Sequence, residues 1–150
     1  MRWIAAFFVL VVAGCGAGGG PGAGKGPVKL EAFVGLGGLT NRLAELRPVE
    51  LGTAEAQAFR SALERAKLTN LDEVRGALSF TPPADRRGFA FAVPGCAEDG
   101  AALSVEGGTL TARLTGGENV NCVQANYFLT VFSLDRGSIP PTPTLSTSPR

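Results

Sequence analysis

The stretch that most constrains the fold of this chain is residues 126–134, which read Asn-Tyr-Phe-Leu-Thr-Val-Phe-Ser-Leu. Successive side chains of a β-strand point to opposite faces of its sheet, and this run has apolar side chains in both sets of positions. A strand with one solvated face would instead alternate apolar and polar residues. The run therefore predicts a central strand, covered by a helix on one face and by loops or a second layer on the other.

Alternating patterns predict the strands around this central one. Residues 28–34 predict a strand whose buried face is formed by Val28, Leu30, Ala32 and Val34. In residues 89–93, phenylalanine and valine alternate with alanine and predict a strand that stops at Pro94-Gly95. Residues 39–46 are a candidate for a further strand, which would end before Pro48.

Gly107-Gly108 predicts a β-hairpin, because two glycines between alternating runs suit a two-residue turn with positive φ. Residues 102–106 and 109–115 are the expected strands. One face of the hairpin is expected to carry Leu103, Val105, Leu110, Ala112 and Leu114.

One clear helix is predicted over residues 54–68. Thr53 can cap its N-terminus, Glu55 places a negative charge in its first turn, and Asn70 is the expected left-handed stop. The stripe expected to pack on the sheet consists of Ala56, Phe59, Leu63 and Ala66.

The segments after this helix carry weaker signals. Residues 71–80 are too mixed to assign, and residues 81–88 read as a loop because they are rich in proline and charge. Residues 140–150, rich in proline, serine and threonine, are predicted to be a disordered tail. The chain is thus predicted to hold one α+β domain over residues 28–139, a small and mostly antiparallel sheet packed by one main helix and held by one disulfide.

The N-terminus carries the most specific motif. Met1-Arg2 is followed by eleven uncharged residues and then by Gly14-Cys15, which is the layout of a secretory signal. The apolar run is too short to span a bilayer, which takes about 20 residues. Val12-Ala13-Gly14-Cys15 resembles the lipobox of bacterial lipoproteins. The resemblance implies that residues 1–14 are removed and that the Cys15 thiol carries a diacylglycerol.

Two other interpretations of this segment stay open: an ordinary signal cut near Gly14 that leaves Cys15 free, or an uncleaved anchor. If Cys15 is acylated, about two chains or more hold the protein firmly on a membrane. Residues 15–27, with seven glycines after Cys15, are then a lipid-anchored linker with a reach of about 20 Å. We expect a cell-envelope protein on the extracytoplasmic side of a bacterial membrane, with the particular membrane left open.

The two remaining cysteines, Cys96 and Cys122, are expected to pair, because thiols outside the cytoplasm are oxidised. Cys96 follows the strand predicted at 89–93 and Cys122 precedes the strand predicted at 126–134. A bond between them would make these two strands antiparallel neighbours. Free buried thiols are the alternative.

The amino-acid composition excludes several kinds of catalytic and metal-binding site. The chain has no histidine, which removes Ser-His and Cys-His nucleophiles and imidazole metal sites. The acidic pairs Asp72-Glu73 and Glu98-Asp99 read as solvated turns rather than as paired catalytic carboxylates. Without residues 1–14 the 14 basic residues become 13, against 13 acidic ones, so nothing favours binding of nucleic acid. We expect no enzyme activity, no cofactor and no metal; Arg86 and Arg87 are candidates for a solvated corner or for a carboxylate-binding contact.

A family resemblance covers about residues 28–93. A strand followed by Gly37-Gly38 precedes the helix with Glu55-Ala56 and Leu63-Glu64-Arg65-Ala66, and Pro83-Ala84-Asp85-Arg86 stands ahead of an aromatic strand. This order of elements resembles emfourin, a small protein inhibitor of thermolysin-like metalloproteases. The resemblance implies an inhibitory binding protein, and no site residue is carried over from it.

Two functional hypotheses follow. The first is a lipid-tethered, non-catalytic binding module that engages an envelope protein or a small ligand, with protease inhibition as one form of it. The second is a structural or accessory subunit that docks on a larger envelope complex. An exposed loop carrying an ordered Arg86-Arg87 clamp, or a deep pocket, would favour the first hypothesis. A flat apolar patch of several hundred Å² would favour the second.

Overall fold

The structure is a computed structural model that describes residues 28–38, 46–117 and 122–148. Its elements, in chain order, are β1 (Val28–Gly37), β2 (Val49–Glu50), α1 (Ala54–Arg65), α2 (Leu71–Leu78), β3 (Arg86–Gly95), β4 (Gly100–Glu106), β5 (Thr109–Thr115), β6 (Asn126–Asp135), a 3-10 turn (Arg136–Ser138) and β7 (Thr144–Thr147). Within these ranges no helix has the length and apolar character needed to cross a bilayer. The candidate strand at residues 39–46 lies almost wholly outside the described residues.

Three layers form the domain. The middle layer is a four-stranded antiparallel sheet with the strand order β1-β6-β3-β2, and α1 and α2 cover one of its faces. The other face packs on a second sheet of order β4-β5-β7, in which β4 and β5 are antiparallel and β5 and β7 are parallel. The α+β prediction is confirmed, but two helices and not one main helix cover the sheet.

The prediction that residues 126–134 form a central strand is confirmed by β6. Leu129 and Val131 belong to the core beneath the helices, whereas Phe128, Phe132 and Leu134 belong to the core between the two sheets. Burying one such side chain stabilises the fold by about 1.5–3 kcal/mol. β6 pairs with β1 on one side and with β3 on the other. It is therefore an interior strand of the sheet, and its two faces contribute to both cores.

The prediction of one buried face for residues 28–34 is wrong. The register between β1 and β6 shifts between Leu30 and Ala32, so Glu31 is an extra residue, a β-bulge. A one-residue shift turns the following side chains to the other face. Val28 and Leu30 therefore pack against the second sheet, and Ala32 and Val34 pack beneath the helices.

Helix α1 begins as predicted but ends earlier. The Thr53 side chain accepts a hydrogen bond from the Ala56 N–H at 3.2 Å and caps its N-terminus. The helix ends at Arg65, and the left-handed residue after it is Lys67, with φ 54°, rather than Asn70. Asn70, with φ −116°, instead precedes the second helix.

Helix α2 was not assigned from the sequence. It forms over Leu71–Leu78 because Val74, Ala77 and Leu78 fall on one face and are buried on the sheet. Arg60 of α1 donates a hydrogen bond to the Leu78 carbonyl at 2.7 Å, which satisfies one acceptor at the end of α2.

Two segments predicted to be irregular form strands. β3 begins at Arg86, inside the predicted loop, and β7 lies inside the predicted disordered tail. β7 is ordered because Leu145 packs in the core between the sheets and its backbone pairs with β5. The domain therefore extends beyond residue 139, to at least Ser148.

The hairpin and the disulfide are confirmed. Gly107 and Gly108 have φ values of 54° and 81°, and β4 and β5 pair around them. On the predicted hairpin face Leu110, Ala112 and Leu114 are buried, Leu103 is half-buried, and Val105 is 40% exposed. Cys96 and Cys122 are bonded with their Cα atoms 5.7 Å apart, and β3 and β6 are antiparallel neighbours.

Truncation of β6 side chains tests its central position. We expect Leu129→Ala to lower the free energy of unfolding by about 2–5 kcal/mol and Phe132→Ala by about 3–5 kcal/mol, since each leaves a cavity in a different core. Val105→Ala, at an exposed apolar side chain, is the control and should change it by less than about 0.5 kcal/mol. Urea unfolding measures all three; a small effect of either β6 variant would contradict its burial.

Candidate functional site

The domain has two distinct ends along β6. At one end Leu134 pairs with both Val28 and Arg87, and we call this the Val28 end. At the other end Asn126 pairs with Gly95 beside the Cys96–Cys122 bond, and we call this the disulfide end. β6 is ten residues long, so the two ends lie about 30 Å apart. Val28, the first described residue, therefore lies at the opposite end of the domain from the disulfide.

Arg87, predicted to form a solvated corner or a ligand contact, binds the chain itself. Its Nε and Nη2 atoms each donate to a carboxylate oxygen of Glu50 at 2.7 Å. Nη1 donates to the Pro140 carbonyl at 2.8 Å and Nη2 to the Pro141 carbonyl at 2.9 Å. The Arg87 side chain is 8% exposed, and the hydrogen bond with Glu50 raises the pKa of its guanidinium. Arg87 thus holds the segment that leads to β7.

Arg86 also lies in β3 and is engaged within the fold. Its Nη1 donates to Asp135 at 2.7 Å, its Nε to the Ser133 hydroxyl at 2.8 Å and its Nη2 to the Ser133 carbonyl at 2.7 Å. The carboxylate contacts of Arg86 and Arg87 are therefore internal, and the interpretation of either as a solvated corner is wrong.

Glu31, the bulged residue of β1, completes this polar cluster. Its carboxylate accepts a hydrogen bond from the Ser133 hydroxyl at 2.7 Å and lies 2.9 Å from Lys29 Nζ. Burial acts to raise the pKa of Glu31, but the contacts with Ser133 and Lys29 outweigh it and hold this pKa below its ordinary value of 4.5. The bulge supplies the backbone position that lets Glu31 reach Ser133.

At the disulfide end Glu98 is not solvated, contrary to the prediction. It is 5% exposed, and its Oε2 accepts a hydrogen bond from the Cys96 N–H. A side chain at Gly95 would clash with the Glu98 carboxylate. Asp99 is exposed, as predicted. Glu98 therefore supports the loop that carries the disulfide.

Asp72 and Glu73 are exposed in the first turn of α2, where a negative charge is favourable. Asp72 lies 3.4 Å from Arg75, and Glu73 accepts a hydrogen bond from Asn70 at 3.0 Å. In the described parts of the chain no group of three acidic or cysteine side chains gathers to hold a metal.

Two depressions lie on the helical side of the domain. The interhelix groove, about 590 Å³, lies beside Thr53 at the start of α1 and Leu78 at the end of α2. The edge groove, about 560 Å³, lies between β1 and α2. Ser79 and Phe80 line both of them, so the end of α2 separates the two depressions. The sequence did not reveal either one, because both require α2.

The edge groove has a simple composition. Its lining residues are Glu31, Ala32, Phe33, Val34, Glu73, Gly76, Ala77, Ser79 and Phe80. On the α2 side the groove is lined by Gly76, which has no side chain, and by the small side chain of Ala77. Apart from the backbone of α2 itself and the residues next to Gly76 in the chain, no atom lies within 4 Å of a Cβ built on Gly76. The lining contains two carboxylates and neither lysine nor arginine.

Comparison with protein-family models, curated proteins and solved structures gives no significant match to this chain. The resemblance to the emfourin order of elements refers to β1, α1 and β3, and it stays a prediction.

Removal of the Arg87 side chain tests its hold on the C-terminal segment. We expect Arg87→Ala to lower the free energy of unfolding by about 1.5–3 kcal/mol, because Glu50 and two carbonyls lose a charged donor. Cleavage by an added protease near Pro140 should accelerate. Arg113→Ala, at an exposed arginine of β5, is the matched control. Equal stability and equal cleavage rates in the two variants would contradict the role of Arg87.

The pKa of Glu31 predicts a pH dependence. Because this pKa is lower in the folded chain, the ionised carboxylate stabilises the fold above the unfolded-state pKa, and this contribution is lost as the pH falls through the folded-state pKa. Glu31→Gln should therefore be less stable than the wild type at pH 7, by about 1 kcal/mol, and the difference should shrink in acid. Denaturant unfolding as a function of pH measures it.

Ser133→Ala is the companion variant for this measurement, since it keeps Glu31 and removes a hydroxyl donor. It should weaken the acid dependence of the wild type. A stability difference between wild type and Glu31→Gln that is the same at every pH would argue against the Glu31 contact.

Proposed function

We propose that this chain is a bacterial lipoprotein, tethered through Cys15 on the extracytoplasmic side of a membrane, whose domain is a non-catalytic binding module for a protein of the cell envelope. The observation that carries the proposal concerns the three cysteines of the sequence. Cys96 and Cys122 are bonded to each other, so Cys15, in its lipobox-like setting, is the one cysteine left for a lipid.

The disulfide supports an oxidising compartment. Disulfides persist in secreted and periplasmic proteins and are rare in the cytosol. Closing a loop with a sequence separation of 26 residues stabilises the fold by about 3–4 kcal/mol in the chain-entropy model. Glu98 contacts the backbone of Cys96 from within the same loop, which indicates that the loop is built around the bond.

The position of Val28 supports a tether at one end of the domain. The linker predicted at residues 15–27 would join β1 at the Val28 end, so both the disulfide end and the side of the domain that carries the grooves are accessible to a partner. Binding is the proposed activity, and it would use surfaces other than Arg86 and Arg87, since both contact carboxylates of the chain itself.

The surface favours the binding module over a docked accessory subunit. Among the described residues the exposed large apolar side chains are Val105 and Val123. Val105 is near the Gly107-Gly108 turn and Val123 follows Cys122, so they lie at opposite ends of the domain and form no common patch. The two grooves are the features on which a smaller element of a partner can be held.

Membrane attachment is the first test. The full chain, produced in a bacterium, should be recovered in the membrane fraction and should incorporate labelled palmitate. Cys15→Ala should abolish the label and reduce membrane recovery by at least tenfold. The matched control is the double variant Cys96→Ala with Cys122→Ala, which should keep both label and membrane recovery while losing about 3–4 kcal/mol of stability. Retention of Cys15→Ala on the membrane would refute the tether.

Partner capture tests the binding activity. The detergent-solubilised chain should co-purify with a discrete envelope protein after cross-linking, and a metalloprotease is the class that the emfourin-like order suggests. Recovery of that protein with the full chain but not with an unrelated lipoprotein supports the proposal. Recovery of the same background proteins with both would contradict it.

A further inference from the structure

We propose that the edge groove binds an extended, lysine- or arginine-bearing segment of a partner polypeptide, which adds a strand beside β1. This inference rests on the proposed function, since it specifies the ligand of the binding module. The observation behind it is the combination of a strand edge that no described strand covers with a groove along the same strand whose lining includes Glu31 and Glu73.

β1 is a long edge strand. Its ten residues pair with β6 on one side, and in the described parts of the chain no strand pairs with its other side. Every second residue of an edge strand turns its N–H and C=O groups away from the sheet. An extended backbone is the ligand that matches such a row of donors and acceptors, as in strand addition to a sheet.

The second half of β1 has few of the features that protect a sheet edge. Natural edge strands are commonly short or carry charged residues, proline or a β-bulge. In β1 the charged residues Lys29 and Glu31 and the bulge at Glu31 lie in the first half of the strand. β2, the opposite edge of the same sheet, has two residues, whereas residues 32–37 of β1 read Ala-Phe-Val-Gly-Leu-Gly without a charge or a proline. Asn70 Nδ2 donates to the Gly35 carbonyl at 2.9 Å, so a side chain already satisfies one acceptor there. The groove lies along residues 31–34 of β1.

The groove gives room for side chains of the added strand. Alternate side chains of a strand point to one face, and those on the helical face would enter the space between β1 and α2. Its volume of about 560 Å³ falls within the range of roughly 300–1,000 Å³ typical of ligand pockets. Gly76 keeps this space open, although a glycine in a helix interior costs about 1 kcal/mol relative to alanine.

Charge specifies the kind of segment. The carboxylate of Glu31 is paired with Lys29, whereas Glu73 is exposed and has no ion pair among the described residues. A cationic side chain of the partner therefore complements the α2 wall. A second copy of this chain is a poorer occupant, because pairing β1 with β1 would bring two acidic linings together.

A defined peptide tests the proposal with the full chain purified in detergent. The probe is a fluorescein-labelled peptide with the sequence Thr-Lys-Val-Thr-Val-Lys-Thr, and polarisation measures its binding. We expect saturable binding that weakens at least tenfold when glutamate replaces both lysines. N-methylation of alternate amides, which removes the backbone donors on one edge, should also weaken it at least tenfold.

Matched variants locate the site on the protein. Gly76→Trp fills the groove and should abolish binding, whereas Gly137→Trp, at another glycine with open space around it and outside the groove, should not. Thermal unfolding of both variants checks that they stay folded. Glu73→Lys should reverse the preference between the lysine and glutamate peptides.

Three results would overturn the proposal: no binding of the probe at millimolar concentration, equal binding by the N-methylated peptide, or equal binding by Gly76→Trp. Concentration-dependent dimerisation that is lost in Gly76→Trp would assign the groove to a second copy and would also overturn it. Because peptide binding is measured on purified protein, it is independent of the Cys15 test, so failure of one can be told from failure of the other.

Discussion

The rest of the structure depends on the burial of β6 on both of its faces. Leu129 and Val131 need the helices above them, and Phe128, Phe132 and Leu134 need the second sheet below them. Exposing these five side chains would cost about 7–15 kcal/mol, which is comparable to the whole stability of a typical domain, about 5–15 kcal/mol. A chain with this strand therefore requires a three-layer arrangement. β1 and β3 take their places as the neighbours that β6 pairs with.

Polar contacts then fix the two ends of β6. At the Val28 end Arg86 and Arg87 bind Asp135 and Glu50, and Arg87 also holds the segment leading to β7. At the disulfide end Glu98 and the Cys96–Cys122 bond hold the loops together. One consequence is that both arginines are committed to the fold. The proposed binding function would then use other surfaces, and the grooves beside α2 are the candidates favoured here.

Local patterns made much of this fold predictable. Alternating residues, paired glycines and one capping threonine predict β6, β3, the hairpin and the start of α1, and all of these signals act within a few residues.

The features that were missed depend on distant partners. β7 needs Arg87, more than fifty positions earlier, to hold Pro140 and Pro141. α2 is eight residues long with Gly76 inside it, and its burial on the sheet decides its existence. The bulge at Glu31 brings its carboxylate to Ser133, 102 residues later. The strand that forms one wall of the edge groove was predicted from the sequence, but the groove was not, because it also needs α2 and the bulge in β1.

Cys96 and Cys122 are bonded to each other, and the proposed tether gives Cys15 a lipid, so that every cysteine of the chain would have a covalent partner. Intact mass spectrometry of the protein purified from membranes tests this assignment most directly. The expected species begins at Cys15, carries a diacylglycerol with or without an amide-linked acyl chain, and lacks two hydrogens relative to the reduced chain. A mass that retains residues 1–14, an unmodified Cys15, or two thiols at Cys96 and Cys122 that react with an alkylating reagent without prior reduction would contradict it.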